Sequence, residues 1–569
     1  MQKGIQEDFD DYFQEQIVWL FFQLSRKNDF IGRLHLELHC KLFLRTLNGL
    51  MDLDKNKWVP YLHLFLRCVA FCRDTYIGLG ERDLFYHLVF ILHEYYPRYA
   101  NYIVCCIVHS DEQRMIGCWR DLPYLCDYVY QNSSLRDKHP LITFCIYLMN
   151  DQLDKDLYTW KYSYDCFNKY YISNICKHLP REKSKHDWLY TKLCTYWIHK
   201  HKPYILQTPK TLESYQRALN KCKKMYRKNV SYLHKCSESF VIHMSKKKID
   251  EIDLHNISVD QFMHHRDFFL GTNFQSSSKD KLQDDYFLHM QNWINGDKIK
   301  QEQYFHGYSH CPIPLGYLVK RAIYNIKIKA TENREIHFLN AYWKKFIERK
   351  QTIDYFLPLL DVSNTINNES FYASLGISLY VSQISKIGNC IVAMDKFPTW
   401  ISLPESCCFY QQVSDVLESI HNLQNNECNY KKAIQLILHT LKETKVNDKF
   451  IQNMKLLILS EFSHSMIQEK EIENMFLSNG FMYYPKLVYW NVAQKAVHDL
   501  PCDIHSKQSF LYSGYSKSQV HNVIYMNKKK DYSTYETVLS ILNHPRYDFI
   551  CDLNNFRGIK AVAVRDMDL

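Results

Sequence analysis

The sequence predicts an α-helical region followed by a doubly wound α/β domain, and two observations lead to this fold class. Residues 1–350 repeat apolar side chains at three- and four-residue spacing, whereas helix and strand patterns alternate in residues 351–569. Only 15 glycines and 15 prolines occur among 569 residues, which indicates few tight turns and much helix. We therefore expect two domains, with a boundary near residue 350.

The helical region begins with amphipathic segments that are joined by short polar connections. Apolar residues recur on one face of five segments, at 17–24, 34–50, 58–72, 84–95 and 99–109. A second helical region extends from about residue 139 to residue 244. Consecutive helices with short connections are typical of stacked antiparallel pairs, so we expect a solenoid-like module.

Positive charge is concentrated in one part of this region. Residues 171–250 contain 18 lysines and arginines against 5 acidic residues, a surplus of 13, whereas the whole chain has a net charge of +10. Aromatic side chains such as Trp188 alternate with the basic ones. Because basic groups neutralise phosphates and aromatic faces stack on unpaired bases, the pattern favours RNA as a ligand. A solvated basic helix face above an aromatic-rich core is the alternative.

Two connections between helices combine charged residues with glycine or tryptophan. Arg73 and Arg82 enclose the first connection, which contains Gly78-Leu79-Gly80. Trp119 and Arg120 lie in the second connection. Salt bridges between helices would account for both, and the functional alternative is a loop that faces an anion.

In residues 351–569 short apolar runs alternate with amphipathic segments. We expect strands at 389–393, 455–460, 486–490 and 510–513, in addition to one that starts near residue 355. Helices are expected at 370–388, 430–441, 472–479 and 535–542. This order of elements is typical of a doubly wound parallel sheet.

The first strand of this domain ends in oxygen-bearing side chains. The apolar run stops at Asp361, and Ser363 and Thr365 follow at alternate positions. Parallel sheets present such loops at their carboxyl edge, where carboxylate and hydroxyl oxygens can coordinate a hard cation. A capped helix start would have the same sequence, so that interpretation stays open.

Several short motifs lie in a consistent order along most of the chain, from Arg73-Asp74 and Trp119-Arg120-Asp121 through Pro180-Arg181-Glu182 and Asp361-x-Ser363-x-Thr365 to Trp490-Asn491. In this order they resemble an uncharacterised family of large DNA viruses, plants and fungi. That family joins a TROVE-like helical module to a C-terminal von Willebrand A domain, which is the plan of the Ro ribonucleoprotein. The resemblance implies a TROVE- or HEAT-like module in residues 1–350 that binds RNA, and a von Willebrand A-like domain in residues 351–569. It also implies a metal-ion-dependent adhesion site that holds Mg²⁺ or a protein partner.

The sequence departs from the family at this metal site. Glu461 stands where the third loop of the site has an aspartate, and Cys428 lies where the second loop has a threonine. Glutamate is one methylene longer, and sulfur is a poor ligand for Mg²⁺. The glycine-lysine-glycine core of the helical module reads Gly78-Leu79-Gly80, which removes one cation. The resemblance therefore implies a degenerate site that either binds Mg²⁺ or is only a structural remnant.

We expect from these observations a non-enzymatic RNA-binding protein of the cytoplasm, or of the host cytoplasm if the chain is viral. Its ligand would be single-stranded or structured RNA. The residues expected to contact RNA are Arg73, Arg82, Trp119, Arg120, Arg181, Lys183, Trp188, Lys223, Lys224 and Arg227. The residues expected at the Mg²⁺ site are Asp361, Ser363, Thr365 and Glu461.

Two other functions stay open at this stage. The chain could be a protein-interaction scaffold, in which the A domain docks a partner with or without a metal. It could also be a metal-dependent nuclease that uses Asp361 and Glu461, although no nucleophile–base set or glycine-rich phosphate loop is visible. No apolar run is long enough to span a bilayer, and the 20 cysteines include no Cys-x-x-Cys pair, so we expect no membrane partner and no disulfides.

Overall fold

A computed structural model of the protein describes residues 2–26, 30–108, 115–162, 173–207, 211–236, 264–266, 314–329, 334–348, 352–363, 368–404, 406–421, 428–462, 467–526 and 532–551. The chain forms two compact units. The sheet unit consists of residues 1–84 and 254–544, and the helical unit consists of residues 85–253 and 545–569. Among the described residues, all strands lie between residues 356 and 513, so the coarse prediction of helices followed by an α/β region is confirmed.

Three helices form the N-terminal part of the sheet unit: α1 (Gln2–Gln23), α2 (Phe30–Leu53) and α3 (Lys55–Arg73). Asp54 caps α3, because its side chain accepts hydrogen bonds from the backbone of the first helical turn. The three helices pack through their apolar faces. Phe13 of α1, for example, stacks on Tyr61 of α3 with ring centroids 4.7 Å apart.

The described residues of the helical unit contain α4 (Arg82–Tyr95), which begins in the sheet unit, followed by α5 (Pro97–Ile107), α6 (Asp121–Asn132), α7 (Pro140–Tyr162), α8 (Ile175–His178), α9 (Asp187–His201), α10 (Pro203–Gln207) and α11 (Leu212–Cys236). The central helix α7 contacts α5, α6, α9 and α11. A 3-10 segment, Pro545–Cys551, completes the unit, and Tyr102 donates a 2.6 Å hydrogen bond to the carbonyl of Phe549 in it. The expected basic stretch, 171–250, is described at 173–207 and 211–236.

Two helices precede the sheet, α12 (Leu315–Lys327) and α13 (Arg334–Glu348), and α14 (Glu369–Ile384) follows the first strand. α12 crosses α14 at very short distance because each helix has a glycine at the crossing. A Cβ atom on Gly316 would lie 2.9 Å from the backbone nitrogen of Ala373, and one on Gly376 would lie 2.9 Å from the backbone of Leu315. Ala373 and Gly376 of α14 therefore lie at the crossing with α12.

The sheet has six strands: β1 (Phe356–Asp361), β2 (Cys390–Met394), β3 (Thr399–Ser402), β4 (Lys455–Ser460), β5 (Lys486–Asn491) and β6 (Ser509–Ser513). Their order is β3-β2-β1-β4-β5-β6, and all neighbours are parallel except β2 and β3. The sequence did not predict β3. This strand has four residues and only one of them is buried, so it lacks the apolar run that marks the other five.

The remaining helices of the sheet unit are α15 (Phe409–His421), α16 (Tyr430–Glu443), α17 (Asp448–Asn453), α18 (Glu469–Ser478), α19 (Lys517–Met526) and α20 (Thr534–Leu542). The chain moves outward from β1 to β3 and then returns to β4 on the other side of β1. The order of strands thus reverses between β1 and β4. In open α/β sheets this reversal opens a crevice at the carboxyl ends of the two strands.

The end of α1 is held by the carboxyl ends of β5 and β6. Asn491 donates a 2.7 Å hydrogen bond to the carbonyl of Phe22, and Ser513 donates one of the same length to the carbonyl of Phe21. These side chains satisfy carbonyl groups that a helix end leaves without partners. Because α1 is bound to the sheet in this way, the compact units divide the chain differently from the expected boundary near residue 350.

Within the described residues, no helix combines the length and the apolar character that crossing a membrane would require. The cysteines that the structure describes are free thiols, and most of them are buried.

Candidate functional site

Two cations lie over one tyrosine ring in the helical unit. The guanidinium of Arg120 is 5.5 Å from the ring centroid of Tyr124, and the ammonium of Lys185 is 5.6 Å from the same centroid. Arg120 directly precedes α6, whereas Lys185 belongs to the segment that leads into α9. The fold therefore brings together two basic segments that are far apart in the sequence.

The start of α6 explains why Arg120 faces outward. The next residue, Asp121, is buried, and its carboxylate accepts 2.8 Å hydrogen bonds from the hydroxyl of Tyr86 and from the backbone N–H of Cys118. These bonds hold the carboxylate inside the unit. Arg120 then lies exposed beside it, and Trp119 is half-buried.

Helix α11 contributes further basic groups to the segment before α9. Arg227 donates a 2.9 Å hydrogen bond to the carboxylate of Glu182, and Arg181 lies 3.4 Å from Nε2 of His234. Burial lowers the pKa of His234, and the nearby charges of Arg181 and Lys177 lower it further. The imidazole is therefore neutral at pH 7 and adds no charge to this surface.

Aromatic rings accompany these cations. Trp188 stacks on Tyr130 with centroids 4.5 Å apart and an angle of 24° between the rings. The edge of His186 meets Tyr124 at a centroid distance of 5.3 Å. Since Trp188 is half-buried and already stacked, it has less ring surface available to a ligand than the sequence suggested.

Eight of the ten residues expected to contact RNA belong to the helical unit: Trp119, Arg120, Arg181, Lys183, Trp188, Lys223, Lys224 and Arg227. Lys183 and Lys224 are exposed, and Lys223 is half-buried. Lys183 adopts a φ of +62° in a turn that its own N–H closes with a 2.6 Å bond to the carboxylate of Asp187. We call the surface formed by Arg120, Tyr124, Arg181, Lys185 and Arg227 the basic face.

The other two expected residues, Arg73 and Arg82, lie in the sheet unit. Arg82 is exposed at the start of α4. Arg73 has only 1% of its surface exposed, and burial raises the pKa of the Glu81 carboxyl although the nearby charges of Arg26 and Arg73 oppose the rise. The guanidinium of Arg73 is therefore inside the unit and is not presented to a ligand at the surface.

The connection between α3 and α4 packs against other elements of the sheet unit, to which it belongs. The carbonyl of Gly78 accepts a hydrogen bond from Ser518, and the side chain of Leu79 lies against Gly514 at the end of β6. Gly78 has no room for a side chain, since a Cβ would lie 2.1 Å from the carbonyl oxygen of Phe71. Glu81 forms a 3.1 Å ion pair with Arg26. These contacts favour the ion-pair interpretation of this connection over an anion-facing loop.

At the carboxyl edge of the sheet, Asp361 is the last residue of β1, as the sequence predicted. Its Oδ1 accepts hydrogen bonds from the backbone N–H of Ser363 at 3.0 Å and from the Ser363 hydroxyl at 2.6 Å. Its Oδ2 accepts a 2.5 Å hydrogen bond from Ser460, the last residue of β4. The carboxylate thus lies in the crevice at which the strand order reverses. Thr365 lies outside the described residues.

Two further side chains surround this carboxylate. The hydroxyl of Tyr430 is 2.7 Å from that of Ser460. Burial, followed by the charge of Asp361, raises the pKa of both Tyr430 and Cys428 well above their ordinary values. Cys428 therefore carries a protonated thiol, which is a weaker ligand than a thiolate or a hydroxyl oxygen for Mg²⁺.

Asp395 is a second carboxylate at this edge, and the sequence reasoning missed it. It follows β2 directly, has no exposed surface, and is close enough to Asp361 for that carboxylate to affect its pKa. Burial raises the pKa of Asp395 and Asp361 adds to the rise, although the N–H of Lys396 opposes it. Among the described residues, Oδ2 of Asp395 has no hydrogen-bond partner. The signal in the sequence was an aspartate placed after a strand, as Asp361 is.

Glu461 follows β4 as expected. Its carboxylate accepts a 3.0 Å hydrogen bond from the side chain of Asn368, whose own carbonyl oxygen accepts one from Gln494 at 2.7 Å. Among the described residues, no group of three or more His, Cys, Asp or Glu side chains is placed to hold a metal ion. Oxygen is the ligand that Mg²⁺ prefers, and the oxygen-bearing side chains that surround Asp361 include those of Asp395, Ser363 and Ser460.

The C-terminal part of the chain matches the model of one protein family. Residues 357–541 are similar to a domain of unknown function, DUF7788. The matched part is about a third of the chain, and it contains the sheet and the carboxyl-edge site. No curated protein matches the chain.

Proposed function

We propose that the protein is a non-enzymatic RNA-binding protein and that the basic face of the helical unit contacts the RNA. The observation that carries this proposal is the placement of Arg120 and Lys185 over the ring of Tyr124. Two cations and a partly exposed aromatic ring supply both interactions that single-stranded RNA offers, namely phosphate neutralisation and base stacking.

The acidic groups on the basic face do not prevent phosphate binding. Arg227 pairs with Glu182, and Lys185 lies 4.0 Å from Asp127. Exposed ion pairs of this kind are worth only about 0–1 kcal/mol. A phosphate that contacts several cations at once therefore competes successfully with these carboxylates.

The resemblance to TROVE-like modules joined to von Willebrand A domains supports the same proposal. Two observations agree with this resemblance. All regular elements in the described part of the helical unit are helices, and Asp361 lies at the point of the sheet where the strand order reverses. The family match of residues 357–541 neither names an RNA nor excludes one. The ligand assignment accordingly depends on the basic face.

Filter binding of the full chain to a single-stranded RNA oligonucleotide over a salt series tests the proposal. We expect affinity to fall with rising salt, and the slope of log K against log salt to decrease by about 0.7 for each phosphate that Arg120→Ala or Lys185→Ala leaves without its cation. Lys155→Ala is the matched control, because this lysine of α7 is exposed but is not one of the basic-face residues. It pairs with Asp151 and lies near Cys105.

Affinity that is independent of salt, or equal losses in Lys155→Ala and in the two basic-face variants, would overturn the proposal. Recovery of protein partners without crosslinked RNA would favour the scaffold function instead. Metal-dependent cleavage of the RNA that Asp361→Asn abolishes would show that the protein is an enzyme.

We further propose that the carboxyl-edge site binds Mg²⁺ through Asp361 and its neighbouring oxygens. When bound, the ion would supply a positive centre to which an acidic group of a partner can dock. Asp361 would be a ligand, the hydroxyls of Ser363 and Ser460 would orient it, and Asp395 would add a second negative charge. A calorimetric titration with Mg²⁺ should give a binding heat that Asp361→Asn removes, and the absence of heat in the unmodified chain would refute the site.

A further inference from the structure

The amino edge of the sheet, opposite the Asp361 site, has two lysines side by side. Lys455 is the first residue of β4 and Lys486 is the first residue of β5, and they are paired in register. Phe356, the first residue of β1, is the partner of Lys455 on its other side. Side chains paired in register on parallel strands point to the same face of a sheet, and the strands are only about 5 Å apart.

A third lysine and a carboxylate lie next to this pair. Lys386, which follows α14, is 3.2 Å from Oδ1 of Asp354, and Lys455 is 3.8 Å from Oδ2 of the same carboxylate. Among the described residues, the charges with a marked effect on the pKa of Lys455 are that of Asp354, which raises it, and those of Lys486 and Lys386, which lower it. Like charges at neighbouring positions of a sheet are destabilising.

Lys455 is also removed from water. Only 8% of its surface is exposed, and its ammonium lies 5.0 Å from the ring centroid of Phe356. Burial lowers its pKa to about 8, Asp354 opposes this shift, and Lys486 and Lys386 add to it. A buried ammonium that two nearby lysines repel would be stabilised by an added negative charge.

We propose that this amino edge is an anion site, in which Lys386, Lys455 and Lys486 bind a phosphate group. Lys386 and Lys455 both lie close to the carboxylate of Asp354, and Lys486 is next to Lys455 in register, so each ammonium can donate to a different oxygen of one phosphate. Lys386 and Asp354 are both about half exposed, so the cluster is open to a ligand from solution. The proposal goes beyond RNA binding by the basic face, which belongs to the helical unit.

A bound phosphate must restore the charge of Lys455. The site would then take up a proton on binding at pH values near 8, and the amine would become less reactive. Without the anion, a substantial fraction of Lys455 is neutral near pH 8, whereas an ordinary lysine is almost entirely protonated there. The free and the anion-bound states therefore differ in the reactivity of the Lys455 amine, which chemical labelling measures.

Formaldehyde is a suitable probe because it is small enough to reach a buried amine and carries no phosphate that would itself fill the site. The Lys455 nitrogen adds to the aldehyde carbon with loss of water, and borohydride then delivers hydride to the imine to leave a stable secondary amine. At pH 7.5 we expect peptide mapping of the full chain to show Lys455 labelled at least about tenfold faster than Lys470, an exposed lysine of α18. Inorganic pyrophosphate should slow labelling of Lys455 and leave Lys470 unchanged.

Two variants that keep Lys455 test whether the cluster is the binding site. Lys386→Gln and Lys486→Gln should each raise the pyrophosphate concentration that gives half protection of Lys455, by about tenfold. As a second measurement, pyrophosphate should raise the unfolding temperature of the unmodified chain at pH 7 more than at pH 9.5, since a ligand that binds only the folded state stabilises it. Both variants should reduce that rise.

The same experiment distinguishes a free phosphate from the phosphates of a nucleic acid. Protection by pyrophosphate alone identifies a small anion, and equal protection by a single-stranded RNA oligonucleotide identifies the polymer backbone; both support an anion site. Labelling of Lys455 no faster than Lys470, or no protection by either phosphate source, overturns it. Arg120→Ala should weaken RNA binding and leave pyrophosphate protection intact, so the two proposals can fail separately.

Discussion

Ser460 donates a 2.5 Å hydrogen bond to Oδ2 of Asp361 and thereby joins the carboxyl ends of β4 and β1. The other oxygen of the carboxylate is held by Ser363, through both its backbone N–H and its hydroxyl. The protein therefore fixes the orientation of Asp361 at the crevice without a ligand. A preoriented carboxylate is what a cation site requires from its surrounding residues.

Ser460→Ala should destabilise the fold by about 1–3 kcal/mol, because it removes a donor from a largely buried carboxylate. It also removes an acceptor from the N–H of Phe462. Urea unfolding measures the effect. Ser478→Ala is the control, since this serine is exposed at the end of α18 and its loss should change stability by less than about 0.5 kcal/mol. Equal values for the two variants would refute a structural role for Ser460.

Cys428→Thr should strengthen Mg²⁺ binding at the carboxyl edge by about tenfold, which corresponds to about 1.4 kcal/mol. The substitution replaces a protonated thiol near Asp361 with a hydroxyl oxygen, which Mg²⁺ prefers. Calorimetric titration measures the change. The control is Cys408→Thr, an exposed position that should leave the affinity unchanged. An unaltered affinity in Cys428→Thr would show that this side chain does not face the ion.

Gly376→Ala should destabilise the sheet unit by about 1–3 kcal/mol, because the new methyl group would lie 2.9 Å from the backbone of Leu315. The higher helix propensity of alanine opposes this loss by about 1 kcal/mol and does not cancel it. Gly49→Ala in α2 is the matched control, since no atom lies within 4 Å of its Cβ position and the substitution should be stabilising. Thermal unfolding of both variants decides whether the helix crossing requires glycine.

Lys455→Met should make the protein more stable at pH 7, by up to about 3 kcal/mol. The folded-state pKa of about 8 lies below that of an ordinary lysine, so the unfolded chain binds more protons between these two values. The loss of folding stability that the charged Lys455 causes is therefore fully present below pH 8, and it disappears as the pH rises toward 10.5.

The gain from Lys455→Met should consequently shrink when unfolding is measured at pH 10 instead of pH 7. Lys470→Met should change stability by less than about 0.5 kcal/mol at both pH values, because this lysine is exposed. A gain that does not depend on pH would mean that the substitution acts through apolar packing and that the ammonium is not destabilised by its surroundings.

Most of the strands after residue 350 could be predicted because they are buried on both faces and form continuous apolar runs, and several helices could be predicted because their apolar residues recur at helical spacing. The strand expected at 455–460, for example, has the same bounds as β4 in the structure. β3 escaped this reasoning because an edge strand of four residues buries too little to leave a pattern. The position of Asp361 at a strand end could be predicted for the same reason, since a buried run must stop where the chain meets water.

The basic face could be predicted only in part. Local composition marked Arg120, Arg181 and Arg227 as basic residues in aromatic surroundings. It did not show that Lys185 and Arg120 share the ring of Tyr124, and it placed Arg73 among surface cations although it is buried. Whether Arg73 is buried depends on which elements pack over it, and the local sequence does not determine that packing.

By itself, then, the sequence determined most of the strands and many of the helices, where positive charge accumulates, and that an aspartate ends the first strand. The tertiary structure alone decided that α1–α3 belong with the sheet, that Asp395 and Ser460 lie near Asp361, and that two other lysines lie near Lys455. The physical reason is that periodicity and composition report on the contact of each residue with water. Strand order and helix packing instead join residues that are distant in the chain, and they set the charges that each side chain meets.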